Sequence, residues 1–274
     1  QHWIDNTSKT FKVSANKYMD STTIGHYQQV LNNFKDFEGK NKVRLVDLSN
    51  ELLDKFSIYL SDEKGYAEKT TKRKIGRIKF FCQRAESDNL SINKQYKERI
   101  FVKTEETEYK QPYLNEQEIK SIFNLDLSHD KEMDNVRDNL VIGLWTSLRV
   151  SDFLTRLNVS NIDDGFIKIR TMKTKTLVNI PIHPQVEQIL KKRNGNLPGK
   201  ISEQKFNKKI KILAMLCGID EEMVGGISIV DEKTKIKRKV IGLYKKYLLI
   251  SSHVCRRSFT TNLIGKIPNK VICD

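Results

Sequence analysis

The stretch YLLISSHVCRRSFTTNL, Tyr247–Leu263, decides how this chain reads. An apolar run meets His253, Arg256 follows three residues later, and a helical pattern takes over. A cation at the mouth of a buried element is costly unless it is paired or meets an anion. At a helix N-terminus the unsatisfied amides and the macrodipole favour an anion, so His253 and Arg256 stand where a phosphate would sit.

Two other stretches place cations in similar company. In LWTSLRVSDFL, Leu144–Leu154, Arg149 has apolar residues on both sides, and Asp152 three positions on is placed to satisfy it locally. In MKTKTLV, Met172–Val178, Lys173 and Lys175 occupy the turn of a small sheet. Two arginines from separate helices, a lysine on a turn and a histidine are a set that phosphodiester transfer can use without a metal. Guanidinium forks bind two non-bridging oxygens and stabilise charge in the pentacoordinate transition state. The lysine can protonate the departing sugar oxygen, and the histidine can donate a hydrogen bond or exchange a proton.

Composition agrees with a polyanionic partner. The 274 residues carry a formal net charge of +15, with 38% hydrophobic and 30% charged residues, as expected of a folded soluble protein large enough for two domains. The excess is uneven. Residues 1–110 hold 21 Lys/Arg against 16 Asp/Glu, residues 112–167 hold 5 against 10, and residues 168–274 hold 23 against 8. A lysine-rich solvated surface accounts for the total more readily than for this crowding into the last hundred residues. No run approaches the ~20 apolar residues that cross a bilayer, and no signal peptide opens the chain, so a cytoplasmic location is expected, and the basic charge fits association with the bacterial nucleoid. Cys82, Cys217, Cys255 and Cys273 form no CxxC pair, so free thiols are expected and no metal site. His2, His26 and His129 lack partners at metal-ligand spacing, and no cofactor is called for.

The first hundred residues predict helices. Ile24, Tyr27, Val30, Leu31, Phe34 and Phe37 keep helical spacing, with Ser21, Thr22 and Thr23 as cap candidates and Gly39 as the stop. Ser49 caps a second helix that runs to Gly65. A third, Ala67 to Ala85, sets a stripe of Ile75, Ile78, Phe81, Cys82 and Ala85 against Lys69, Lys72, Arg73, Arg77 and Arg84, giving a candidate DNA-facing surface in Lys69, Lys72, Arg73 and Arg77. VKTEETEYKQPYLNEQE, residues 102–118, breaks the periodicity and ends in a helix start at Asn115 with Glu118 three residues on. The domain boundary falls here, giving a helical domain over residues 1–108 and a second over 109–274. In the second, an apolar helix leads into TSLRVSDFL and a second helix. GFIKIRTMKTKTLVNIPIHP then alternates as two or three short strands, helices run over 184–193 and 202–217, GGISIVDEKTKIKRKVIG forms a basic hairpin, and the last helix starts near His253.

TSLRVSDFL, KTKTLVNIPIHP and ISSHVCRRSFTTNL, in this order, resemble the tyrosine recombinase (phage integrase) family, and most of all the integrases of Bacteroidetes mobile elements. The resemblance covers nearly the whole chain. It implies a mainly α fold, with a helical SAM-like core-binding domain followed by an α+β catalytic domain with a small antiparallel sheet. It implies double-stranded DNA as partner, self-association on DNA, and Arg149, Lys173, His253 and Arg256 as catalytic groups, with Lys175 the alternative lysine. It also implies DNA cleavage through a 3′-phosphotyrosyl link that conserves bond energy. Ser147 stands where the family usually has glycine. The family's Gly-His and nucleophilic tyrosine follow the segment that IPNKVICD resembles, and residues 267–274 contain neither. Tyr244 and Tyr247 precede His253, and the apolar context of Tyr247 fits core packing. Strand cleavage by these residues alone is therefore not expected. A DNA-binding regulator with a degenerate site and a type IB topoisomerase are the rival readings. His183 reads as a surface residue at a strand exit, and Arg257 as pointing away from the site. The hairpin residues Lys233, Lys235, Lys237, Arg238 and Lys239 read as a solvated edge or a DNA contact.

Overall fold

The computed structural model describes residues 2–14, 17–98, 109–230, 232 and 237–267. Its contacts divide the chain into two units, residues 1–106 with 232–238, and residues 107–231 with 239–274. Residues 102–108 of the expected linker, Lys233, Lys235 and residues 268–274 lie outside the described residues.

The first unit is helical, with α1 (His2–Asn6), α2 (Ser21–Glu38), α3 (Asn50–Asp62) and α4 (Glu68–Ser87). A small antiparallel hairpin, β1 (Lys12–Ser14) and β2 (Lys17–Tyr18), lies between α1 and α2 and was not expected; strands this short show no alternation to read. The cap of α2 is Asp20, whose Oδ1 accepts from Thr23 N at 2.8 Å, so Ser21–Thr23 form the first turn instead. Gly39 ends the helix at φ +56°, where a side chain would be strained. Ser49 caps α3 as expected, although the helix stops at Asp62 and not Gly65. Val30, Leu53, Phe56, Leu60, Ile75 and Cys82 fill the core among α2, α3 and α4. A separate aromatic group sets Trp3 against Phe11, Tyr27, Phe80 and Phe81, with ring centroids 5.1–5.9 Å apart.

The second unit is α+β. Asn115 and Glu118 form the expected capping box of α5 (Glu116–Asn124), with bonds of 2.9 and 2.8 Å. The buried helix α6 (Lys131–Thr146) follows, then a π-helical turn, Asp152–Arg156, where a second α-helix was expected. Strands β3 (Ile162–Asp163), β4 (Phe166–Arg170) and β5 (Leu177–Pro181) form an antiparallel sheet in sequence order, with Ile167 opposite Ile180 and Ile169 opposite Val178. Ile167 and Ile169 face the core while Phe166, Lys168 and Arg170 face outward, as the alternation predicts. Next come α7 (Pro184–Lys192), α8 (Glu203–Leu216), a hairpin of β6 (Glu222–Val230) with β7 (Lys237–Lys245), α9 (Lys246–Leu249) and α10 (Val254–Leu263).

Helix α6 is the axle of this unit, contacted by α5, α7, α8 and α10. Its approach to α10 is close. A Cβ at Gly143 would lie 2.9 Å from both Cys255 Sγ and Phe153 Cζ, so glycine is what lets α10 and the π-helical turn seat against it. Ser258, fully buried on α10, accepts from Leu114 N at 2.8 Å and fixes the rotation of that helix. Val254 and Cys255 then point inward and Arg256 outward. Burial pushes the Cys255 thiol up to about 12, which leaves it unreactive.

Candidate active site

The site is built where α6 ends. Ser147 terminates the helix at φ +54°, the left-handed position, and its N–H returns to Gly143 O at 3.1 Å. The reversal turns the chain so that buried Leu148 anchors the core and half-buried Arg149 follows. The Arg149 carbonyl accepts from the amides of Asp152 (2.7 Å) and Phe153 (3.1 Å), which fixes its backbone at the head of the π-helical turn.

Arg256 comes from α10 and donates through Nη1 to Ser147 O at 2.5 Å, across a sequence separation of 109. Its guanidinium is close enough to Arg149 and Asp152 to feel both. The pKa lies below the ordinary arginine value, through burial first and the Arg149 charge second, with Asp152 opposing. Arginine remains cationic under such a shift, so two like charges are held near one another. Among the described residues, the guanidinium of Arg149 makes no hydrogen bond or ion pair, and that of Arg256 bonds only the Ser147 carbonyl.

Asp152 does not satisfy Arg149 in the way its spacing allows. The residue is fully buried, and its Oδ1 accepts from Met172 N (2.9 Å) and Arg156 Nη1 (3.0 Å). Its Oδ2 has no hydrogen-bond partner among the described residues. The carboxylate therefore reaches across to the β4–β5 turn. Lys173 follows Met172 on that turn and is exposed. Thr171 and Thr174, on either side of it in sequence, share a hydroxyl hydrogen bond of 2.7 Å. Lys175 takes the left-handed position at φ +60°, and its carbonyl accepts from Arg170 Nη1 at 2.6 Å.

His253 is the exposed N-cap of α10 and makes no side-chain capping bond. The expectation of open amides at this helix start needs correction. Val254 N and Cys255 N already donate to Ser251 O (2.7 Å) and Ser252 O (3.3 Å). Attraction for an anion here comes from side chains more than from the helix end. His253 and Arg256 are one turn apart and share a face. Arg257 points elsewhere, toward Pro112 O at 3.5 Å.

His183 is not a free surface group. It caps α7, with Nδ1 accepting from Gln185 N at 3.2 Å, and stacks on Trp145 with centroids 3.6 Å apart and planes 8° from parallel. Burial lowers its pKa. On β7, Lys237 and Arg238 are exposed, and Lys239 donates to the Tyr109 hydroxyl.

On α4, Lys69 and Arg73 are exposed and Lys72 and Arg77 half-buried, with Lys72 paired to Glu68 at 2.8 Å. The residue that sequence reading missed is Lys74, only 1% exposed. Its ammonium donates to Asn33 Oδ1 (2.8 Å) and Gln29 Oε1 (3.1 Å) and lies 4.3 Å from the centre of the Tyr66 ring. Burial, reinforced by Arg77, lowers its pKa to about 8. Among the described residues no group of three His, Cys, Asp or Glu is placed to hold a metal, and no helix is long and apolar enough to cross a membrane.

Residues 3–104 match the phage integrase SAM-like domain. Solved structures share the fold over most of the chain. A lambda integrase dimer bound to a COC′ core site is 14% identical, with a TM-score of 0.67 over 98% of this chain and 88% of that one. The Tn1549 transposon integrase in complex with transposon right end DNA is 15% identical, with a TM-score of 0.61 over 94% and 85%. XerH recombinase bound to difH is 18% identical, with a TM-score of 0.56 over 89% and 69%. At these identities the likeness establishes the fold: a SAM-like helical domain followed by an α+β domain of the lambda integrase kind. No curated protein sequence matches the chain significantly.

Proposed function

We propose that this chain is the DNA-binding and phosphoryl-transfer portion of a site-specific tyrosine recombinase from a mobile element. Residues 1–108 would form the core DNA-binding domain and 109–274 the catalytic domain. The observation that carries the reading is the pair Arg149 and Arg256, two guanidinium groups from separate elements held near one another, with no carboxylate among the described residues bonded to either. Such a pair is stable only facing water or an oxyanion, and a phosphodiester supplies two oxygens for it. The SAM-like match, the fold shared with integrases bound to DNA, and the charge of +15 support duplex DNA as the source of that oxyanion.

On this reading Arg149 and Arg256 bind the non-bridging oxygens of the scissile phosphate and stabilise the pentacoordinate transition state. A tyrosine hydroxyl forms the new bond to phosphorus, the bond to the 5′ oxygen breaks, and the ammonium of Lys173 gives that oxygen its proton. Lys173 is favoured over Lys175 because its neighbour Met172 is the residue tied to Asp152 beside Arg149. His253, on the same face of α10 as Arg256, accepts the proton that the tyrosine hydroxyl releases as it attacks. No tyrosine follows Arg256 in the 274 residues. Tyr247 packs against the core and Tyr244 donates to Val240 O, so neither is assigned as nucleophile.

Covalent capture tests the reading. The reading frame is expressed to its stop codon, and a preferred duplex is selected from random sequence and nicked near its centre. Wild-type protein is expected to form a denaturant-stable adduct with the 3′ phosphate. Arg149→Ala and Arg256→Ala should each slow this by roughly 10²-fold or more while duplex affinity changes only a few-fold. Adducts formed by both variants at the wild-type rate overturn the site. Duplex binding without any wild-type adduct favours the regulator.

A further inference from the structure

We propose that Arg156 is a positioning residue, which holds the β4–β5 turn and its Lys173 in register with the element that carries Arg149. The inference rests on the recombinase reading. Lys173 sits on an exposed turn, and a general acid there is useful only if the turn is held within a fraction of an ångström of the leaving oxygen. Within the turn, Thr171 and Thr174 fix its local shape but do not attach it to the rest of the site.

The attachment comes from the π-helical turn. Arg156 Nη1 donates both to Asp152 Oδ1 at 3.0 Å and to Arg170 O, at the end of β4, at 2.9 Å. The same Asp152 oxygen takes the Met172 amide at 2.9 Å. Arg170 then donates to Lys175 O at 2.6 Å and closes the far side of the turn. Lys173 thus lies between Met172 and Lys175, two residues that Arg156 reaches through Asp152 and Arg170. A guanidinium suits this task because it is planar and stays charged, and one of its nitrogens can serve a carboxylate and a carbonyl together. Arg156 is distinct from Arg149 and Arg256, whose guanidiniums bond no carboxylate among the described residues.

The test must separate a misplaced acid from general damage. The substrate is the nicked duplex described above, prepared with oxygen or with sulfur at the 5′ bridging position of the scissile phosphate. When the P–S bond breaks, the thiolate leaves without needing a proton, so Lys173 becomes dispensable. Arg156→Ala should slow adduct formation on the oxygen substrate by about 10²-fold and on the sulfur substrate by no more than about threefold. Arg156→Lys keeps a cation beside Asp152 but cannot bridge to Arg170 O in the same way. It guards against loss of folding, and should fall about tenfold on oxygen with the same recovery on sulfur. Equal slowing on both substrates by both variants, or no slowing on either, overturns the inference alone. A wild-type protein that forms no adduct with either substrate overturns the recombinase reading and this inference with it.

Discussion

Along α6, Arg137 and the residues gathered round Ser147 meet the same problem, a cation against a core, and meet it in opposite ways. Arg137 donates to Asp138 (2.7 Å), to the carbonyls of Phe123 (2.9 Å) and Leu125 (3.0 Å), and to Asp134. Lys192 and Arg193 of the α7 end add further bonds to the same two aspartates. At the other end of the helix, Arg256 lies close enough to Arg149 to feel its charge, and neither bonds a carboxylate among the described residues. A saturated cation spends its donors on the fold. An unsaturated one keeps them for something that arrives from outside. The distinction lies in partners as well as in burial, since Arg137 is buried, Arg149 half-buried and Arg256 exposed, and it is open to test.

Stability should separate the two ends most sharply. Arg137→Ala strips a partner from fully buried Asp138 and leaves two carbonyls unmet, and is expected to cost about 3 kcal/mol in urea unfolding. Arg256→Ala removes one bond to a carbonyl but also relieves repulsion with Arg149, so its cost should stay within about 1 kcal/mol. Equal losses in the two variants would erase the contrast.

The basic face of α4 extends the comparison to a surface. Lys72 is already engaged by Glu68, whereas Arg73 has no partner among the described residues. Reversing Lys72, Arg73 and Arg77 to glutamate should weaken duplex binding and reduce the slope of log K against log salt by up to ~3. Arg73→Glu alone should account for more of that change than Lys72→Glu. An unchanged slope would remove this helix from the interface.

Lys74 is the intermediate case, a buried cation served by two amide oxygens and a ring and by no carboxylate among the described residues. Its folded pKa of about 8 lies below the unfolded value near 10.4. The folded state therefore releases the proton first. Wild-type stability relative to Lys74→Met should rise as pH increases through about 8 toward 10.4, and stay level below that window. Referring to the variant cancels Cys82, whose thiol is raised to about 11 and contributes with the opposite sign. A difference that stays flat across the window would show Lys74 to be solvated.

These cases also show what the sequence can and cannot reveal. Helices α2, α3 and α4, the Asn115–Glu118 box and the alternation of β4 are local patterns, and each was legible. Lys74 was not, because an apolar stripe counts only apolar residues, and its partners lie 41 and 45 positions away. A spacing of three leaves open whether Asp152 answers Arg149, and sequence shows no more than that; in the structure its Oδ1 accepts from Met172 N and Arg156 Nη1 through tertiary contacts. The proximity of Arg149 to Arg256 came from resemblance of motifs, since no local rule joins residues that far apart. Periodicity reports burial well and partners badly.

Ser147 gives the smallest effect and the finest test. The site depends on a helix end at φ +54°, where an L-residue pays about 1 kcal/mol and glycine almost nothing. The integrase resemblance places glycine here, and the left-handed backbone supplies the physical reason. Ser147→Gly should therefore stabilise the second unit by about 0.5–1 kcal/mol, less what glycine loses through greater freedom in the unfolded chain. Ser147→Val should do the reverse, because a β-branched side chain tolerates this conformation worst. The carbonyl that receives Arg256 belongs to the backbone and survives both changes. If adduct formation follows the φ preference while Arg256 is intact, the helix end positions the pair. If serine is irreplaceable, the hydroxyl itself has a role that backbone geometry does not supply.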